Sequence, residues 1–216
     1  MNTVEPKLNF LKRRPFTPYR GLEGKGFLFT PFRGQGGKGI FILILLFCAT
    51  VIQAQIPIGI GTKYNNSFRE WVITTDDEEV EGSLRMRWSF GDDWTAWDFD
   101  IGEFHGSIDQ KWKDEPDLWE IKCNGVIVTA RTAWLGEFYR WKLTDGKTPY
   151  NWFTRYASQP TEWMTDDGPN GFFQFYTYYE NDAREWVIKD ELPENTSIAM
   201  RMAMIFMALH FSTPRI

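Results

Sequence analysis

Histidine and cysteine are scarce in this chain of 216 residues, which contains two of each. The histidines, His105 and His210, form no His-x-x-x-His pair, and the sequence has no Gly-x-Ser-x-Gly elbow and no phosphate-binding glycine loop. Without a recognisable catalytic constellation, we expect a protein that is not an enzyme and that binds no cofactor and no metal. Glycoside hydrolysis by two carboxylates is the remaining enzymatic alternative, but the many Asp and Glu residues single out no pair.

The first 54 residues differ in composition from the rest of the chain. Residues 1–38 carry eight Lys and Arg against two Glu, and the apolar run Ile40–Ile52 and the small residue Ala54 follow. A basic segment, a short apolar run and a small-residue end are typical of a secretory signal peptide, although such peptides usually have roughly 15–30 residues. We therefore expect cleavage near Ala54 and an extracytoplasmic protein, either periplasmic or secreted.

Two alternatives compete with cleavage. The chain could stay anchored in a membrane through residues 39–54, but an apolar run of 13 residues is shorter than the roughly 20 that span a bilayer. Cys48 could carry a lipid, but the bulky Phe47 before it is unsuited to that recognition step.

The remaining segment, Gln55–Ile216, is expected to form a single domain. It has 16 Lys and Arg against 27 Asp and Glu, hence a net charge of −11. Such a surface repels nucleic acid and anionic membranes, so we expect no nucleic-acid partner. Cys123 is its only cysteine and cannot form an internal disulfide. We expect a monomer without a transmembrane span.

Tryptophan, in contrast, is abundant and regularly spaced. Six tryptophans recur at intervals of 22, 23 or 26 residues: Trp71, Trp97, Trp119, Trp141, Trp163 and Trp186. Five of them lie in alternating segments in which apolar residues share their parity, a pattern typical of a half-buried strand with tryptophan on the inner face. The Trp163 copy is weaker, with Met164 on the outer face. Asn124-Gly125 and Asp145-Gly146 are hairpin signals after two of these strands. The spacing predicts about six copies of one hairpin unit.

A second strand returns after each turn and ends in an aromatic residue. These aromatics are spaced 24, 22, 22 and 23 residues apart: Trp88, Trp112, Trp134, Tyr156 and Tyr179. Because they share the parity of apolar residues such as Leu84 and Val128, we expect them to face the interior. The sixth unit ends at residues 186–190 without an obvious return strand. The sequence thus predicts 11 or 12 strands, with hairpin repeats over residues 66–190.

The period changes after residue 190. Ile198–Phe211 is rich in the helix formers Ala, Met and Leu, and polar residues 195–197 can cap its N-terminus. The segment predicts a helix over residues 196–212 that is apolar on all sides except at Arg201 and His210. A helix of this kind must be surrounded, and 14 residues, about 21 Å, are too few to span a bilayer comfortably.

Successive antiparallel hairpins expose strand edges unless the sheet closes on itself. An apolar helix, in turn, requires a tube of side chains around it. The sequence therefore predicts a mainly β fold: a closed antiparallel barrel of about 12 strands, built from six hairpin repeats, with the hydrophobic C-terminal helix buried inside.

Six hairpin units followed by a hydrophobic terminal helix resemble the tubby-like C-terminal fold, which is shared with the LURP-one-related and phospholipid scramblase families. The resemblance covers roughly Tyr64–Phe211 and rests on this architecture and on the segments FREWVITTDD, YRWKLTDG and AREWVIKDEL. It implies phosphoinositide binding, lipid scrambling or no known activity, and it assigns no functional residue.

Two groups of residues are candidates for ligand binding. Trp94, in the turn-like segment Gly91–Trp94, is less tied to the repeat than the other tryptophans, so we expect it to be the first one exposed for a ligand. Basic residues recur on the outer parity of the return strands: Arg85, Arg87, Lys111, Lys113, Arg131 and Arg155. They could form a stripe for an anionic ligand, but cross-strand pairing with Asp98, Asp100 and Glu120 is the favoured interpretation.

The sequence thus predicts a non-catalytic binding or structural module at the cell envelope, with an envelope component, a lipid or a glycan as its partner. Its candidate ligand-binding residues are Trp94, Arg87, Lys111, Arg131 and Arg155. The alternative is a carbohydrate-binding module that uses exposed tryptophans. Acidic segments 76–79 and 165–171 lack the ligand spacing of a calcium loop, and acidic turns are ordinarily just solvated.

Overall fold

A computed structural model describes residues 56–215 except 78, 89, 90, 157 and 158. The predictions made for residues 1–54, including Cys48, lie outside the described residues. The described part contains 12 strands and one helix: β1 Pro57–Tyr64, β2 Ser67–Thr75, β3 Glu81–Met86, β4 Ala96–Ile101, β5 Phe104–Trp112, β6 Glu115–Cys123, β7 Val126–Thr132, β8 Arg140–Thr144, β9 Pro149–Tyr156, β10 Gln159–Thr165, β11 Phe172–Tyr179, β12 Asp182–Glu191 and α1 Ile198–Ser212.

The strands form one closed barrel in which every strand is antiparallel to its neighbours in the chain. The barrel closes where β1 pairs with β12, through Gly59 opposite Val187 and Ile60 opposite Trp186. The predicted closed antiparallel barrel with a C-terminal helix is confirmed. β1 was not predicted; it occupies the place of the return strand that the sixth unit lacks, so the hairpins begin at Pro57 and not at residue 66.

The six repeat tryptophans lie on the even-numbered strands, and all are buried, with at most 2% of their surface exposed. Their predicted inward orientation is confirmed. They surround α1, whose residues Ile198–His210 are all buried. Phe206 of α1, for example, lies 5.5 Å from the ring of Trp97 and 5.2 Å from that of Trp119. Ser197 caps the helix by accepting a hydrogen bond from the main-chain N–H of Met200 at 3.2 Å.

Each repeat tryptophan donates its indole N–H to the main-chain oxygen of the residue three positions earlier, over 2.8 to 3.2 Å. In β2, β6, β10 and β12 this oxygen is free because the ladder shifts register by two residues just before the tryptophan. In β6, for example, Trp119 lies opposite Gln110, whereas Glu115 lies opposite Trp112. Such a bulge lets a buried indole satisfy its polar N–H.

The return-strand aromatics are not buried, and the prediction that they face the interior was wrong. Trp88, Trp112, Trp134, Tyr156 and Tyr179 expose 53 to 68% of their surface. The parity of a residue gives the face of the strand on which it lies, but not whether the core extends to that end of the strand. In three of these hairpins the register shift leaves the aromatic opposite the first residue of the next strand, at the hairpin tip and beyond the core. Trp88 and Trp134 follow the ends of β3 and β7.

The two ends of the barrel differ in chemistry. The turns that follow odd-numbered strands lie at one end, which we call the rim end and which carries these aromatics. The turns that follow even-numbered strands lie at the other end, the acidic end, where α1 begins. The acidic end carries many carboxylates against Lys122, Lys147 and Lys189: Asp76, Asp77, Glu79, Glu81, Glu103, Asp145, Asp166, Asp167, Glu191 and Glu194.

Candidate functional site

The rim end carries one exposed aromatic residue for each hairpin. These six residues, which we call the aromatic rim, are Tyr64, Trp88, Trp112, Trp134, Tyr156 and Tyr179, and each exposes at least half of its surface. Neighbouring strands lie about 4.8 Å apart, so residues on successive odd-numbered strands are separated by about 10 Å around the barrel. Leu135, at 86% exposure, adds to the apolar surface. Clustered exposed apolar groups of this kind mark an interaction surface.

Basic residues stand directly before four rim aromatics, and all four are ion-paired. Lys63 lies 2.7 Å from Glu70, and Arg155 lies 2.9 Å from Glu162. The same two cations lie 5.4 and 5.6 Å from the ring centres of Tyr64 and Tyr156. Each of these pairs offsets the charge of its cation.

The predicted cross-strand pairing is confirmed for three of the outer basic residues. Arg85 pairs with Asp100 at 3.4 Å, Lys111 with Glu120 at 2.8 Å, and Arg87 with Asp98 at 2.9 Å. Arg87 also contacts Asp109 at 2.7 Å. The hydrogen bond that Arg87 donates to Asp98 raises the pKa of Arg87, and the hydrogen bonds that Lys111 and Lys122 donate lower the pKa of Glu120.

Arg131 differs from these residues. It lies on β7 opposite Leu118 on one side and Lys142 on the other, and within the described residues it has no ion pair. Lys111, Arg131 and Arg155 lie on β5, β7 and β9, and Arg87 directly follows β3. Their role in ligand binding stays a prediction.

Trp94 is buried, and the expectation that it is exposed was wrong. Only 7% of its surface is accessible, and its ring packs 5.7 Å from that of Trp97. Trp94 occupies the position three residues before a repeat tryptophan, and its main-chain oxygen accepts the indole N–H of Trp97 at 3.0 Å. The guanidinium of Arg69 covers its ring at 5.7 Å.

A cavity of about 260 Å³ opens at the rim end. It lies between the loop that joins β3 to β4, the turn that joins β5 to β6, and the residues at the end of α1 and just after it. Its wall includes both acidic and basic side chains: Asp92, Lys113, Asp114 and Arg215. Trp94 and His210 form its apolar part. This cavity could not be predicted from the sequence, because its three segments are distant in the chain.

His210 is the buried member of the cavity wall, with 7% of its surface exposed. Burial, aided by the charge of Arg215, lowers its pKa to about 3, so its imidazole is neutral near pH 7. The guanidinium of Arg215 approaches its Nε2 to 3.2 Å. Arginine can only donate, so Nε2 accepts and the proton resides on Nδ1. This Nδ1–H is buried and has no hydrogen-bond partner among the described residues.

The described residues were compared with the side-chain groups that bind metal ions in proteins. They contain no group of three or more His, Cys, Asp or Glu side chains arranged to hold an ion. Asp145 instead accepts hydrogen bonds from the main-chain N–H groups of Lys147 and Thr148, which cap its turn and lower its pKa. No helix among the described residues combines the length and the hydropathy needed to cross a membrane.

Comparison of the chain with protein-family models, with curated proteins and with solved structures found no match. Function must therefore be inferred from the aromatic rim and the neighbouring cavity.

Proposed function

We propose that this protein is a non-catalytic, extracytoplasmic binding module that attaches to the cell envelope through its aromatic rim, with a lipid surface as its partner. The observation that supports this function is the recurrence of one exposed Trp or Tyr at the same end of all six hairpins. Trp and Tyr combine an apolar ring with a polar tip, and they favour boundaries where one side is apolar and the other is wet.

The charge distribution supports the same orientation. The four cations that directly precede rim aromatics are ion-paired, whereas the acidic end carries ten carboxylates against three lysines. An anionic envelope surface would repel the acidic end and leave the rim end as the approaching face. The closed barrel with its buried terminal helix is also the architecture that the tubby-like resemblance implies, and membership of that superfamily is part of this proposal.

A carbohydrate-binding module is the second candidate. The indole rings of Trp88, Trp112 and Trp134 are 58 to 68% exposed and could stack on sugar rings. The buried repeat tryptophans do not contribute to such a surface. The two candidates therefore use the same residues and differ in the fraction of the envelope that the protein binds.

Co-sedimentation with separated membrane and cell-wall fractions tests the proposal. The full-length protein should bind the membrane fraction, and Trp112→Ala combined with Trp134→Ala should weaken this binding at least about tenfold, because two exposed anchors are removed. The matched control combines Ile58→Ala with Ile127→Ala, which removes exposed apolar side chains from other strands. Since all four sites are exposed, the free energy of unfolding of both variants should lie within about 1 kcal/mol of the wild-type value.

The outcomes separate the candidates. Binding to cell-wall polysaccharide alone, with the same loss in the rim variant, would favour the carbohydrate-binding module. Equal binding by the rim and control variants would contradict any role for the aromatic rim.

A further inference from the structure

We propose that the rim-end cavity is a binding site for a small zwitterion that carries a phosphate and a primary ammonium, the chemistry of the phosphatidylethanolamine head group. This inference rests on the proposed function for its lipid source, but the site itself is argued from the cavity wall.

The basic residues of the cavity wall fit the phosphate. Lys113 and Arg215 both belong to the wall, and Lys113 forms no ion pair in the described part of the chain. The hydrogen bonds that Thr95 donates lower the pKa of Asp93 in the neighbouring loop, and the positive charge of Lys113 adds a smaller effect in the same direction. Two cations in the wall of a small cavity attract an oxyanion, and arginine binds phosphate through paired N–H donors.

The buried donor of His210 points to a ligand independently of these charges. Its Nδ1–H lacks an acceptor, and a buried polar group without a partner costs about 1–3 kcal/mol. His210 belongs to the cavity wall, so a small shift of its side chain on ligand binding would let a bound oxygen accept this hydrogen bond. Because His210 stays neutral, it adds a donor to the site without adding a third positive charge.

The acidic residues of the cavity wall fit the ammonium. Asp114 has no ion pair among the described residues, and Asp92 is 87% exposed at its side chain although one of its oxygens contacts Arg69 at 2.7 Å. Gln110 donates its amide N–H groups to the main-chain oxygens of Trp112 and Lys113, which leaves its side-chain oxygen as an acceptor. A primary ammonium has three donors for such acceptors, whereas a quaternary ammonium has none.

The size and place of the cavity favour a head group. A volume of about 260 Å³ lies below the 300–1,000 Å³ typical of sites for drug-sized ligands, so it fits a few polar groups and no acyl chain. Trp112 immediately precedes Lys113, and Trp88 precedes the loop that supplies Asp92. A rim placed at a bilayer interface would therefore hold the cavity at the depth of the head groups.

The site is tested first with soluble O-phosphoethanolamine, by isothermal titration calorimetry on the full-length protein. We expect saturable binding that Arg215→Ala and Asp114→Asn each weaken at least tenfold. Lys147→Ala and Asp167→Asn, which change the same kinds of charge at the acidic end, should leave it unchanged. Inorganic phosphate and ethanolamine should each bind at least tenfold more weakly than the zwitterion. Absence of binding, or equal effects of the site and control variants, would overturn the site.

Vesicles then identify the source of the ligand. Vesicles of phosphatidylcholine with phosphatidylethanolamine should bind the protein at least about fivefold more tightly than vesicles of phosphatidylcholine alone, and Asp114→Asn should abolish the difference. Equal binding to both vesicles would refute the lipid source while leaving attachment through the rim intact. Binding to neither vesicle and to no envelope fraction would refute the proposed function as well, whatever the calorimetry shows.

Discussion

A buried ion pair fixes the N-terminal end of α1 inside the barrel, and its removal should be costly. Arg201 on the helix and Asp190 on β12 contact at 2.6 Å, with 1% and 6% of their side chains exposed. Arg201 also donates to the main-chain oxygens of Thr196 and Pro193. The only other group that donates to Asp190 in the described residues is the N–H of Leu192, at 2.9 Å. Neither charge can reach water if its partner is removed.

We expect Arg201→Met to lower the free energy of unfolding by about 3–5 kcal/mol, because it leaves a buried carboxylate without its counter-charge. For a domain of this size that loss corresponds to a decrease of about 6–20 °C in Tm. Asp190→Leu should lower the free energy of unfolding by a similar amount, because it leaves the buried guanidinium of Arg201 without its counter-charge. The double variant should lose much less stability than the two single variants added together, since an apolar pair of similar volume can replace a buried ion pair at little cost. The coupling energy should reach about 3 kcal/mol or more.

Urea unfolding at pH 7, followed by tryptophan fluorescence, measures these losses. The matched control is Lys189→Met, which breaks the exposed pair of Lys189 and Glu191 at the same end of the barrel, with both side chains more than half exposed. It should cost less than about 1 kcal/mol. If Arg201→Met costs no more than Lys189→Met, the ion pair does not hold the helix and the reasoning is refuted.

Two further predictions concern the barrel interior. Lowering the pH from 7 to 5 should reduce the free energy of unfolding by about 2 kcal/mol because of His210. The imidazole binds a proton near pH 6.5 in the unfolded chain but only near pH 3 in the folded chain, so the loss should continue to grow toward pH 3. Urea unfolding at both pH values checks this, and an equal pH dependence in His210→Phe would contradict it. Gly106→Ala should cost more than about 2 kcal/mol, because its Cβ would lie 2.1 Å from the ring of Phe99. Gly168→Ala, with no atom within 4 Å of the new Cβ, should change stability by less than about 0.5 kcal/mol in the same assay, and equal costs for both would contradict the packing of Phe99.

The sequence predicted those parts of the fold that follow from local patterns. The parity of Trp119 with Ile121 placed both side chains in the core, and the apolar composition of Ile198–Phe211 required a surrounding barrel. β1 escaped prediction because Pro57–Tyr64 contains no tryptophan and two glycines, and because its pairing with β12 joins segments more than 100 residues apart. The cavity escaped for the same reason, since its wall depends on contacts between distant segments.

The aromatic rim could have been predicted from the sequence only if the bulges at the hairpin ends had been recognised. Pro116 and Pro160 precede Trp119 and Trp163 by three residues, and a proline inside an apparent central strand signals an interrupted ladder. The bulge lies in β6, so Trp112 keeps the parity of Ile108 along β5. It is nevertheless exposed because it lies opposite Glu115 at the tip of its hairpin, beyond the core.

One short unit explains both sets of aromatic residues. In the hairpins that begin with Tyr64, Trp112 and Tyr179, the exposed aromatic is followed by two turn residues, one paired residue, three bulge residues and the buried tryptophan. In the hairpin of Tyr156, Gln159 is the paired residue and three bulge residues again precede Trp163. The first bulge residue supplies the oxygen that accepts the indole N–H, so the bulge and the buried ring depend on each other. The same bulge sets the outer aromatic beyond the core. The constant separation of seven residues is therefore the sequence signature of a unit that stabilises the barrel with one ring and presents the other to a partner.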